Sequence, residues 1–291
     1  MPELPEVEAL SSYLCSVAGG RVVAKVDVAS FSVLKTFDPP VSDLVGRPLT
    51  SCGRRGKHLL LGFGDAGSEL WLVLHLARGG WVRWVESVKP GPVKPGKGPL
   101  ALRVRFDDGS GFDVTEAGTE KRVAAWVVRS PEDVENVATL GVDVLSPSFT
   151  VDVLAEVLSS AGRAQVKGVL TDQRLLAGVG NAYSDEALHV ARLSPFKPAS
   201  SLSADEVAAL HDALVGVLRD AVARSSGLAA SGLKKEKKSG LRVHGREGEA
   251  CSVCGDTVRS VFFASKSLQY CPTCQTGGKP LADRRLSRLL K

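Results

Sequence analysis

The chain has 291 residues, of which 44% are hydrophobic and 24% charged, and its net charge is +5. That is enough apolar residue for a sizeable core and enough length for two domains. No run of about eighteen apolar residues occurs, and no basic stretch followed by an apolar core opens the chain. A membrane-spanning helix and a secretory leader are therefore not expected, and a cytoplasmic protein is.

The first element expected is a helix over residues 2–18. Pro2 suits a first turn, the early glutamates suit a helix N-terminus, and Leu10, Leu14 and Val17 recur at helical spacing before Gly19-Gly20. Short β-rich runs follow, among them His58–Phe63, Leu70–His75, Gly80–Val85, Leu102–Phe106 and Trp126–Arg129. Asp107-Asp108-Gly109 reads as a hairpin turn, so this half is expected to be a β-sandwich or barrel. After Pro147 the period changes, and helices are expected over Val151–Ala161, Val166–Asp172, Ala182–Ala191 and Ala204–Ala223. Residues 225–250 are rich in Ser, Gly and Lys and read as a mobile stretch. The resulting division is a β domain over 1–130, a linker over 131–148, a helical domain over 149–230, a basic flexible loop over 231–250 and a cysteine module over 251–291.

The module reads Cys251-x2-Cys254, sixteen residues, then Cys271-x2-Cys274. Two such knuckles supply four thiolates to one tetrahedral Zn2+ and close its shell, which makes the ion structural; two redox dithiols are the alternative. Lys266 lies five residues before Cys271, on the connecting hairpin, where a cation suits phosphate contact or simple solvation. Residues 231–291 carry thirteen Lys and Arg against five Asp and Glu, leaving 24 against 27 for the rest. A positive charge polarised in this way fits a polyanionic partner, although a solvated basic tail has the same composition.

Two further segments suggest chemistry. Gly178-Val-Gly180-Asn181-Ala-Tyr183 joins two helical patterns. Glycines that permit positive φ, a helix N-terminus and an asparagine able to cap that helix or donate to a phosphate make an anion site; an ordinary corner between helices uses the same residues. At the N-terminus, removal of Met1 would leave Pro2 with a free secondary amine. An α-amino group titrates near pH ~8, against ~10.4 for lysine, so a neutral nucleophilic fraction exists under physiological conditions. Glu3 beside it is placed to move protons.

Together these residues resemble the Fpg/Nei family of bifunctional DNA glycosylases, the formamidopyrimidine-DNA glycosylase and endonuclease VIII relatives. The resemblance rests on Pro2-Glu3-Leu-Pro-Glu6-Val-Glu8, Arg54-Arg55-Gly56-Lys57-His58, Lys167-x4-Asp172-Gln173, Gly178-Val-Gly180-Asn181-Ala-Tyr183-Ser-Asp185-Glu186, and the four cysteines with Tyr270 and Gln275. It implies an α+β multidomain fold: an N-terminal β-sandwich with an N-terminal helix, a helix-two-turns-helix domain and a zinc-finger β-hairpin. It also implies double-stranded DNA with a damaged base or abasic site as partner, bound in the cleft between the halves; a monomer in the bacterial cytoplasm, nucleoid-associated when acting, is the default expectation.

The implied activity is excision of oxidised bases through a Schiff base on Pro2, followed by β/δ-elimination at the abasic site. The implied catalytic residues are Pro2 as nucleophile, Glu3 as general acid and base, and Lys57 at the phosphate beside the lesion. Glu6, Lys167, Asn181, Lys266 and Arg78 are the implied DNA-contacting residues. A relative that binds lesions or abasic sites without cutting is the alternative.

Three departures from the family pattern bear on that reading. Lys266 stands where the family's finger usually carries arginine, which removes the bidentate fork. Arg78 stands near a methionine position in His75-Leu76-Ala77-Arg78-Gly79-Gly80, and the later loop around Lys121-Arg122 lacks the expected phenylalanine. The lesion-capping segment is replaced by Ser231-Gly-Leu-Lys234-Lys235-Glu-Lys237-Lys238, whose lysines bind phosphate without reading sequence. These changes lean toward an endonuclease VIII-like or divergent subgroup.

Overall fold

The computed structural model describes the chain except residues 66, 90, 92, 97, 264, 265 and 283–291, and of residues 263 and 266 it describes the backbone alone. Two compact units divide the chain: Met1–Leu140 with Ser225–Lys234, and Gly141–Arg224 with Lys235–Lys291. Among the described residues no helix is long and apolar enough to cross a membrane.

The first unit opens with helix α1, Leu4–Ala18. It starts two residues later than its composition suggests, because Glu3 and Glu6 form a capping box in which Glu6 Oε2 accepts from the Glu3 N–H at 2.8 Å. Glu3 is therefore the cap and Pro5, not Pro2, takes the first-turn position that needs no N–H. Leu4, Val7, Leu10 and Leu14 recur on one face and are fully buried.

Among the described residues eight strands follow: β1 Val23–Val28, β2 Leu49–Arg55, β3 His58–Phe63, β4 Leu70–His75, β5 Gly80–Val85, β6 Leu100–Phe106, β7 Gly111–Glu116 and β8 Ala124–Val128. They form two antiparallel four-stranded sheets, ordered β1-β6-β7-β5 and β2-β3-β4-β8. Strand β3 is buried throughout, so its alternate residues serve two cores. Leu59, Leu61 and Phe63 join Leu72, Val104, Phe106, Phe112 and the α1 face in the main core. Leu60 joins Val73 and Val128 on the other side, closed by Val137 from the short helix α2, Glu135–Ala138, and by Val134, its N-cap. Part of the expected linker therefore packs against the sheet. Each leucine so buried contributes roughly 1.5–3 kcal/mol. Cys15 on α1 and Cys52 on β2, far apart in sequence, meet here. Burial and then a hydrogen bond with Cys15 push the Cys52 thiol well above its ordinary range.

The second unit holds β9 Val142–Asp143, α3 Val151–Ser160, α4 Val166–Thr171, β10 Leu176–Ala177, α5 Asn181–Val190 and, up to Arg224, α6 Ala204–Ser225, then β11 Arg259–Phe263, β12 Lys266–Tyr270 and α8 Pro272–Thr276; α7, Leu233–Gly240, has its first two residues in the first unit and the others in the second. Thr150 caps α3 by accepting from the Val153 N–H. The β11–β12 hairpin is the expected finger.

Helix α7 corrects the expectation of a loop over 231–250 for residues 233–240, while residues 241–249 hold no helix or strand. Leu233 is fully buried in the main core of the first unit, and the Trp81 indole N–H donates to the Ala230 carbonyl at 3.0 Å. Lys234 lies over the Trp81 ring, and Glu236 accepts from Arg224 Nε at 2.8 Å. These anchors outweigh the loop-like composition. Leu233→Ala is expected to lower the unfolding free energy of the first unit by about 2–5 kcal/mol, read as a lower urea midpoint. An unchanged midpoint would place residues 225–234 outside that core.

Candidate active site and metal centre

Pro2 and Glu3 are buried at the start of α1, with Glu3 only 2% exposed. Glu6, expected to position a nucleotide, uses its carboxylate on the Glu3 backbone and so fixes where Glu3 sits. One turn on, Glu8 Oε2 accepts from Arg54 Nε at 2.7 Å. That ion pair holds the start of α1 to the end of β2, which runs directly into Gly56 and Lys57. Gly56 has φ +53°, a left-handed value suited to glycine, and this tight turn presents Lys57, which is 7% exposed.

Two histidines complete this region, and no motif identifies them. The β3–β4 register sets His58 opposite His75, with ring centroids 4.9 Å apart, and Trp126 approaches His58 edge-on at 6.1 Å. Burial pushes both imidazoles down to about 4. The next contribution for His58 is the charge of His75, and for His75 it is the charge of Lys57. Two neutral rings therefore flank the lysine. The sequence signal is the position of each residue at a strand end, which acquires meaning only through the register.

Arg78 is exposed at the β4–β5 turn. Ala77 before it has φ +47°, and a Cβ on Gly79 or Gly80 would meet Ala117 O at 2.3 Å or Leu76 O at 2.1 Å. The Ala117 N–H donates to Gly79 O at 3.0 Å, so the loop that lacks phenylalanine lies beside the Arg78 turn. Glu116 fixes that loop by accepting from the N–H groups of Arg122 and Val123 at 2.7 and 3.0 Å.

In the second unit, Lys167 differs from the DNA-facing placement that the resemblance implies. Its Nζ is turned inward and donates to Asp185 Oδ1 at 2.6 Å, Ser184 Oγ at 2.8 Å and Asn181 O at 3.1 Å. Asn181 is the first residue of α5 and does not cap it, because Gly180 is the cap. The Asn181 side-chain amide donates to Ser267 O on β12 at 2.6 Å. Gln173 braces the turn: its Nε2 donates to Val179 O at 2.8 Å and its Oε1 accepts from Gly178 N–H at 3.0 Å. Asp185 also accepts from Gln269 N–H at 3.2 Å and lies 2.7 Å from His244 Nδ1. Glu186 accepts from the N–H groups of Arg242, Val243 and His244 at 2.7–2.9 Å. Burial still raises its pKa, against those hydrogen bonds.

The ligand atoms of Cys251, Cys254, Cys271 and Cys274 lie within 4.8 Å of one another, with Sγ pairs at 3.9 and 3.3 Å. A tetrahedron with Zn–S near ~2.3 Å has edges of about 3.8 Å, so the four sulfurs fit one structural zinc ion. Gln275 ties the knuckle to the helical domain. Its Oε1 accepts from Cys271 N–H and its Nε2 donates to Leu193 O, each at 2.9 Å. The Lys266 backbone opens β12, paired with Phe263, while its side chain lies outside the described residues.

Family profiles match three segments: the formamidopyrimidine-DNA glycosylase N-terminal domain over residues 1–122, the formamidopyrimidine-DNA glycosylase H2TH domain over 140–231, and a zinc finger found in FPG and IleRS over 248–277. A formamidopyrimidine-DNA glycosylase of Roseiflexus sp. (strain RS-1) is 37% identical over 94% of this chain and 100% of its own length. An uncharacterized formamidopyrimidine-DNA glycosylase-like protein of Mycobacterium tuberculosis is 60% identical over 52% of this chain and 94% of its own. Among solved structures, the Lactococcus lactis Fpg bound to DNA containing an oxidized pyrimidine superposes with a TM-score of 0.82 at 26% identity, covering 94% of this chain and 100% of that one.

The paired histidines yield a pH dependence. Their ordinary pKa is about 6.5, and the folded values are about 4. Between those limits the unfolded chain binds protons that the folded one refuses, so stability present above pH ~6.5 is lost as pH falls toward ~4. His58→Phe is expected to make that decline shallower in urea unfolding across this range. A decline as steep as in the unsubstituted protein would remove His58 as its source.

Proposed function

Since this chain belongs to the formamidopyrimidine-DNA glycosylase family, and is a base-excision DNA glycosylase with abasic-site lyase chemistry, we propose that Pro2 is its nucleophile, with Glu3 and Lys57 as partners. Removal of Met1 converts the Pro2 nitrogen into a secondary amine with one N–H. That nitrogen attacks C1′ of the damaged nucleotide, the bond to the base breaks and the N–H proton is lost to give a neutral aminal, and cleavage of C1′–O4′ as the sugar ring opens turns the aminal into an iminium. The Glu3 carboxyl protonates the opening sugar ring and then takes up protons during elimination. Loss of a C2′ proton expels the 3′ phosphate, and a second elimination expels the 5′ phosphate. The nucleotide must leave the helix to reach Pro2, because C1′ of a stacked base is not accessible.

The observation that carries this reading is the capping box. It holds Glu3 buried immediately after Pro2, on a helix end clamped by Glu8 and Arg54 to the strand that delivers Lys57. A buried carboxyl adjacent to the reacting nitrogen is pre-positioned, which is where much of an enzyme's rate advantage arises. Lys57 supplies positive charge for a phosphate, and His58 and His75, held neutral, do not compete with it. Arg78, exposed on a turn shaped by Gly79 and Gly80, supports a role in the space left by the extruded nucleotide. We assign Asn181 and Lys266 to backbone phosphates, and Lys167 and Glu6 to holding their neighbours in place. We further propose a monomer working on chromosomal DNA in the bacterial cytoplasm.

Borohydride trapping tests the central claim. Duplexes carrying an abasic site, 8-oxoguanine, formamidopyrimidine or an oxidised pyrimidine are expected to give a covalent complex with methionine-processed, zinc-loaded protein. An N-terminal extension that leaves the Pro2 nitrogen in a peptide bond should abolish trapping while retaining binding. Trapping that survives the extension would move the nucleophile elsewhere. No trapping on any duplex would favour a relative that binds without cutting.

A further inference from the structure

His189 lies in the last turn of α5 and is 2% exposed. Its Nε2 is 3.3 Å from Cys251 Sγ. Its other ring nitrogen, Nδ1, is buried with no hydrogen-bond partner among the described residues. Cys251 is itself 3% exposed, so water has little access to its sulfur. A zinc-bound thiolate accepts hydrogen bonds and donates none, so the nitrogen facing it must carry the hydrogen. We propose that His189 is the outer-sphere donor to the Cys251 zinc thiolate, a positioning residue that joins the metal centre to the helix bearing Asn181.

The electrostatic reason is the charge of the site. Four thiolates around Zn2+ leave a net charge of about −2, held in a knuckle that is half closed to solvent. An N–H pointing at one sulfur draws electron density outward and makes that ligand harder to protonate and displace. The mechanical reason is that α5 meets the finger at both ends. Asn181 donates to Ser267 O at one end and His189 faces Cys251 at the other. A zinc ion that holds Cys251 in place therefore also fixes the tilt of the helix whose first residue is Asn181.

The test uses zinc-loaded, full-length protein with His189→Leu and His189→Gln. Glutamine places an amide N–H near the position of Nε2, and leucine fills the space without a donor. Zinc transfer to a chromophoric chelator is expected to be about tenfold faster or more for His189→Leu and close to unsubstituted for His189→Gln. In the Co(II)-substituted proteins, the thiolate-to-metal charge-transfer band should shift in the leucine variant only. Unchanged release from His189→Leu would overturn the proposal. So would equal acceleration in both variants with the band unmoved, because packing alone would then explain the effect. Should His189→Leu fail to fold, His189→Phe supplies the donor-free comparison.

Discussion

Asp185 and Glu186 stand side by side on α5, both nearly inaccessible to solvent, and their satisfaction organises the second unit. A buried carboxylate stripped of a partner costs about 3–5 kcal/mol, so each recruits what it needs. Glu186 gathers three consecutive backbone N–H groups from residues 242–244, and Asp185 takes Lys167 from α4, His244 and the Gln269 N–H from β12. A helix, a connecting segment and the finger hairpin are thereby fixed to one axis. The zinc knuckle completes the arrangement through Gln275 and His189. A hairpin this small has too little apolar surface to hold its own shape without such ties.

The first unit uses the same physics with different groups. The N-terminal segment has no core of its own, yet Pro2 and Glu3 must be held still if they react. A reciprocal cap between Glu3 and Glu6 sets the dihedral angles at the helix start, the α1 leucines seat the helix on β2 and β3, and Glu8–Arg54 fixes its near end. The side chain of Arg54 is only 10% exposed, so this ion pair is better shielded than a surface bridge. Local irregularities gather close by. Gly56 and Ala77 have positive φ, and Gly79 and Gly80 lie where no side chain fits. These are the turns that carry Lys57 and Arg78, so the backbone conformations that bulkier residues resist gather beside two of the residues proposed above to meet DNA.

Most of the architecture was legible in the sequence because the governing signals are local. Short β-rich runs between turn residues gave β3, β4, β5, β6 and β8, the leucine spacing gave α1, and the paired CxxC gave the metal. What the sequence did not reveal is direction and register. Lys167 occupies a motif position, but nothing in the spacing says that its ammonium turns inward to Asp185. His58 and His75 are seventeen positions apart and become neighbours only through the β3–β4 pairing. Asn181 looked like a cap because glycines precede it, whereas Gly180 supplies the extended backbone a cap requires and leaves the amide for Ser267. Composition misled over 233–240, where lysine, serine and glycine suggested solvent and a single leucine, two aromatic rings and Arg224 decided otherwise.

That last difference changes what the basic segment does. On a mobile loop, four lysines form a diffuse cloud of charge, and contact with a phosphate must first overcome the entropy of ordering long side chains and their backbone. On α7 the same residues have defined places. Lys234 lies over Trp81 and Lys237 over Tyr183, each 4.6 Å from the ring centroid, while Lys235 and Lys238 are exposed. A cation stacked on a ring keeps its charge, whereas Lys167, paired with Asp185, does not offer its own. The field available to a DNA backbone therefore differs from the formal count. It loses the lysine in the motif and keeps those of the basic segment, held at helical spacing with much of the ordering cost already met in the folded protein.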